Sequence, residues 1–73
     1  MVMSKTKRYY DPTTDPYSRL LNKSVIIRIR GGETSTVLKG RLVEVGQYSL
    51  VLQSGQRLFV VNKGYVVYAE GNL

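Results

Sequence analysis

Cysteine and histidine are both missing from this chain of 73 residues. Their absence removes disulfides and every common zinc site, two usual supports of a small domain. A chain of this length buries only about 60% of its unfolded surface, so it needs such support or a partner subunit. Oligomerisation is the remedy left by elimination. The lack of cysteine also fits a reducing interior.

Acidic residues are scarce as well, with 5 Asp and Glu against 11 Lys and Arg. Asp11, Asp15, Glu33, Glu44 and Glu70 are scattered, and no pair has an evident reason to meet for acid–base work. No phosphate-cradling glycine motif precedes a helix, since Gly31-Gly32 lies between two strand-like segments. The chain therefore reads as a non-enzyme without cofactor, metal or catalytic residues. No apolar run approaches the roughly 20 residues of a membrane span. The segment from Met1 to Arg8 has no apolar core of the signal-peptide kind. The expectation is a soluble cytoplasmic protein with no membrane partner.

What the chain does have is positive charge. A formal charge of +6 on so small a unit favours an anionic partner, nucleic acid ahead of an anionic membrane. Solubility alone would account for the charge about equally well.

Residues 1–14 read as a basic, flexible tail: Lys5, Lys7 and Arg8, then Tyr9-Tyr10, with no periodicity. Its second reading is an arm that touches phosphates and stacks tyrosines on bases. Residues 15–73 form the single domain. Asp15 caps and Pro16 opens a short N-terminal α-helix, with Tyr17, Leu20 and Leu21 as its apolar stripe. Asn22-Lys23-Ser24 ends it.

From Ser24 the period changes to two. Val25, Ile27 and Ile29 alternate with Ile26, Arg28 and Arg30, the pattern of a half-buried strand with a basic outer face. A turn at Gly31–Ser35 leads to a long second strand, Thr36 to Val45, with Gly40 at a bend. The corner Gly46-Gln47-Tyr48-Ser49 follows, where glycine allows backbone angles that strain other residues. Tyr48 to Gln53, Arg57 to Asn62 and Tyr65 to Ala69 complete five short antiparallel strands, the signature of a small barrel. Leu58 to Val61 and Tyr65 to Ala69 are apolar on both faces, more than so small an interior can cover. Apolar edge strands pair with other chains, and a fourth strand on the next copy's fifth makes a head-to-tail ring. The other reading is a barrel that hides both faces itself.

These residues carry a resemblance. Val25-x-Ile27-x-Ile29, Gly32, Gly40-x-Leu42 and Ser49-Leu50-Val51-Leu52 look like the first motif of the Sm/LSm family. Val61 to Tyr68 stands where the second motif would be, and the similarity runs from about Asp15 to Glu70. The spacing from Gly40 to Leu52 is similar to the Hfq-like branch; an archaeal Sm-like relation is the other option. The resemblance implies an all-β fold with a short N-terminal α-helix: a five-stranded, strongly bent antiparallel sheet, the Sm fold, an SH3-like open barrel. It also implies a homo-oligomeric ring of six or seven copies, with stacking of two rings left open. Such rings bind single-stranded, uridine- or adenine-rich RNA around the pore, in RNA processing and metabolism.

Carried over, Tyr48 matches the aromatic that stacks on a base, with Gln47 before it. Ser49 stands for the asparagine that reads the base edge, and Asn62 and Lys63 occupy the second pore turn. The family's acidic corner residue is replaced by Gly46. The expected RNA-binding set is Gln47, Tyr48, Ser49, Asn62 and Lys63. The alternative is a ring scaffold with a degenerate RNA site that binds protein partners or polyanions non-specifically. A monomeric SH3-like barrel is the third.

Overall fold

The structure, a computed structural model, describes residues 10–31 and 33–72. Alternation does what the sequence implies. In β1 (Ser24–Gly31) Val25 and Ile27 are buried, with more exposed residues between and after them. The same alternation recurs in β3 (Ser49–Ser54), where Leu50 and Leu52 point inward, and in β4 (Arg57–Asn62), where Val61 does. β2 (Thr34–Val45) and β5 (Val66–Gly71) complete one antiparallel sheet in the order β4-β3-β2-β1-β5. The two edge strands are therefore β4 and β5.

β2 is shared along its length. Its first eight residues pair with β1, and from Arg41 onward it pairs with β3, with a register shift between Leu42 and Glu44. Gly40 sits just before this hand-over. A Cβ there would lie 2.6 Å from the carbonyl oxygen of Gln53, so only glycine lets β3 come this close. The core, Val25, Ile27, Leu42, Leu50, Leu52 and Val61, draws on four strands of one sheet. Among the described residues no second sheet and no long helix covers these side chains. The sheet must curl over its own inner face to bury them.

The expected N-terminal α-helix is absent. Two 3-10 turns, Pro12–Thr14 and Pro16–Leu20, stand in its place. The start signals work as read: the Asp15 carboxylate accepts from the Tyr17 amide at 2.9 Å, and Pro16 follows it. The length fails. Asn22 turns to φ 66° and donates its amide to the Leu42 carbonyl at 2.6 Å, which diverts the chain into β1. Five residues cannot build a four-residue hydrogen-bond ladder worth its nucleation cost. In a 3-10 turn residues three apart eclipse. Tyr17 and Leu20 accordingly pack on the core together, while Leu21, four after Tyr17, is left exposed.

Of the expected tail, Tyr10–Thr14 lies within the description and residues 1–9, with Lys5, Lys7 and Arg8, lie outside it. The first turn is also tighter than read, since β1 continues to Gly31 and β2 begins at Thr34. Between β3 and β4 the loop is two residues, Gly55-Gln56, with Gly55 at φ 64°. That matches the II′ turn, whose hand suits a twisted hairpin.

Candidate nucleic-acid interface

Two turns meet at one end of the sheet. Ser49 is opposite Asn62 in the β3–β4 register, so the corner after β2 and the turn after β4 start side by side. The Lys63 amide then donates to the Tyr48 carbonyl at 2.8 Å and stitches the turns together. Gln47, Tyr48, Ser49, Asn62 and Lys63 are thus neighbours, although the sequence separates them into two groups.

Each has a distinct environment. Tyr48 is 71% exposed, so it does not wedge the end of the sheet; its ring presents a free face. The Gln47 amide donates to the Tyr48 hydroxyl at 3.1 Å and steadies that ring from one side. Ser49 is half-buried, with its carbonyl accepting from the Gly46 amide at 2.8 Å. Gly46 itself is outside the left-handed region, so the corner does not use the conformational freedom expected of it. Its small size matters instead, because a Cβ there would stand 3.3 Å from the Ser49 hydroxyl. The Asn62 side-chain oxygen caps the 3-10 turn Lys63–Tyr65 by accepting from the Gly64 amide at 2.7 Å, which leaves its NH2 as a donor.

Lys63, expected in the RNA-binding set, is engaged within the chain itself. Its ammonium forms an ion pair with Asp15 and lies 5.0 Å from the Tyr10 ring centre and 5.4 Å from that of Tyr17. The pair is largely withdrawn from water, with side-chain exposures of 17% for Lys63 and 7% for Asp15. The other Asp15 contacts come from the Tyr10 hydroxyl at 2.6 Å and the Tyr17 amide. Burial acts to raise the Asp15 pKa, but hydrogen bonds from Lys63, Tyr10 and the Tyr17 backbone outweigh it and hold the carboxyl below its ordinary range. Burial, then the bond to Asp15, pushes the Tyr10 phenol up to about 12. Burial followed by the Asp15 charge raises Tyr17 as well.

Asp15, Tyr10 and Tyr17 were not among the residues the sequence singled out for this end of the molecule. Asp15 carried only a capping signal, and its partner Lys63 is 48 positions away. Nothing local marks such a pair. Two other cations have partners of their own: Arg28 lies over the Tyr68 ring at 5.7 Å and donates to the Ser35 hydroxyl at 2.7 Å. Arg41 donates to the Asn22 carbonyl at 2.6 Å.

No protein-family model, no curated protein and no solved structure matches this chain.

Proposed function

We propose that the chain assembles head-to-tail into a homo-oligomeric ring that binds single-stranded RNA, and that it serves RNA processing or metabolism. The observation that carries the RNA reading is the exposed Tyr48 ring, flanked by Gln47, Ser49 and the Asn62 amide where the two turns join. Unpaired bases stack on such a face, and every base has one, so the surface suits single strands better than duplex grooves. The amide and hydroxyl groups beside it meet base edges.

The assembly reading has its own support. β4 and β5 are the two edges of one sheet, and their outward side chains are apolar: Leu58, Val60 and Val67 are all more than half exposed. A groove lined by Ile29, Leu38, Phe59, Val60 and Tyr65 runs beside β4. A β4 edge on the next copy's β5 covers both, and a repeated head-to-tail contact closes when its rotation divides a full turn. The resemblance to the Sm/LSm family suggests six or seven copies, with each copy's corner facing the pore and uridine- or adenine-rich RNA as ligand.

One observation favours a second reading. The corner's own cation, Lys63, is engaged by Asp15, which is what a ring scaffold with a degenerate site would retain. Such a ring would bind polyanions without sequence preference. Binding to oligo(U), oligo(A) and oligo(C) across a salt series separates the two. Preference for oligo(U) or oligo(A), with that binding weakened in Tyr48→Ala and the oligomer intact, is the expected result. Stacking contributes about 1–3 kcal/mol per base, so the loss should be about 5- to 150-fold. Equal affinities that collapse together with salt favour the scaffold.

A further inference from the structure

The Lys63–Asp15 pair joins two parts of the molecule with different duties. Lys63 belongs by its backbone to the corner, since its amide holds the Tyr48 carbonyl. Asp15 belongs to the segment that crosses the end of the sheet before β1. The ammonium is held by one carboxylate and two aromatic faces, contacts that offset its charge within the molecule. A phosphate oxygen offers the same charge-assisted acceptor as that carboxylate. Lysine reaches either through a flexible four-carbon stem, so exchange needs rotation of one side chain and no change in the turn.

We propose that Asp15 is an intramolecular substitute for a nucleic-acid phosphate, holding Lys63 in a Tyr10–Tyr17 cage so that RNA must displace it to gain that contact. The inference rests on the RNA reading above and deepens it: the N-terminal segment is an autoinhibitory latch on the same site. Two consequences separate it from a plain structural ion pair. Removing the Asp15 charge must tighten binding, because a competitor is gone. It must also steepen the salt dependence, because Lys63 now neutralises a phosphate that it did not before. For single strands each added phosphate contact contributes about 0.7 to the slope of log affinity against log salt.

Removing any negative charge near RNA could raise affinity, so the test needs Lys63 as its control. Asp15→Asn keeps an oxygen able to cap Tyr17, while the charge is lost and an NH2 donor replaces the oxygen that accepts from Lys63 and Tyr10. Wild type, Asp15→Asn, Lys63→Ala and the double variant are titrated with fluorescein-labelled oligo(U) and oligo(A) at several salt concentrations. Coupling of this kind is typically five-fold or more, so Asp15→Asn should bind at least about five-fold tighter than wild type. Its salt slope should be steeper by about 0.7 per subunit contacted, and both gains should vanish in the Lys63→Ala background. A gain that persists without Lys63 is a bulk charge effect and overturns the latch. Wild type that binds, with Asp15→Asn no tighter, overturns the latch and leaves the RNA reading standing. No binding by any of the four proteins overturns both. If melting by circular dichroism finds Asp15→Asn unfolded, Asp15→Ser, another capping residue without charge, carries the same comparison.

Discussion

Asp15 serves three partners with one carboxylate: the Tyr17 amide, the Tyr10 hydroxyl and the Lys63 ammonium. Its folded-state pKa is lowered, so its contribution to stability is present above the ordinary carboxylate range near 4 and is lost as pH falls through the folded value. Asp15→Asn should therefore melt below wild type at neutral pH, and the two curves should converge in acid. A gap that stays constant down to pH 3 would remove the ion pair as its cause. Tyr10 shifts the other way. A phenol raised to about 12 contributes stability fully present below its ordinary value near 10 and lost as pH rises through about 12. The ultraviolet absorbance of ionised phenol should then show Tyr10 and Tyr17 titrating late, Tyr10 at about 12. In Asp15→Asn Tyr10 should move only part of the way back, because burial, the larger cause, remains. At this scale the sequence was informative where turns set the register. The corner Gln47-Tyr48-Ser49 and the turn at Asn62 could each be read locally, and it was the family resemblance that set the two turns together. Asp15 could not, since an ion pair across 48 positions leaves no periodicity to read.

Among the elements, the strands were legible and the helix was not. The period-two pattern marks β1, β3 and β4 because one face of each is buried and the other is wet. The N-terminal stretch carried genuine helix-start residues. What decided its form was tertiary, the bond from Asn22 to Leu42 that ends it after Leu20. Gly40 gives the sharpest element-level prediction. An added methyl would meet backbone at 2.6 Å, and backbone cannot rotate aside. Gly40→Ala should cost about 1–3 kcal/mol or more in urea unfolding as β3 is pushed from β2. Unchanged stability would mean that the two strands part without cost there. Leu50→Ala, in a fully buried position of β3, should cost about 2–5 kcal/mol by loss of burial and the cavity left behind. These two substitutions test the hand-over and the core separately.

For the molecule as a whole, the sheet leaves both edges unpaired by its own strands. Val60 on β4 is 72% exposed and Val67 on β5 is 55% exposed. A lysine on either edge should block strand pairing with another copy while leaving the inner face untouched. Native mass spectrometry of Val60→Lys should then find the 8.3 kDa chain where wild type gives a multiple of it. Wild type at the single-chain mass would end the ring proposal outright. The edge prediction needed little beyond sequence, because strands apolar on both faces in so short a chain have nowhere to hide them. The same apolar pattern pointed to the fourth and fifth strands as the edges, and the order β4-β3-β2-β1-β5 has them there.

That order also sets a timetable. β1 to β4 pair each with its neighbour in sequence, through short turns, whereas β5 returns to β1, with Ala69 opposite Ile27 more than half the chain away. Closing so long a loop is entropically later than zipping adjacent hairpins. β5 should therefore dock last, onto a meander already in place. In a monomeric edge variant, Val66→Ala should speed unfolding and leave refolding nearly unchanged, while Leu50→Ala slows refolding. With β5 docking last, the second of the two edges would be completed as the final act of folding, and in the proposed ring maturation of the chain and readiness to join another copy would be the same event.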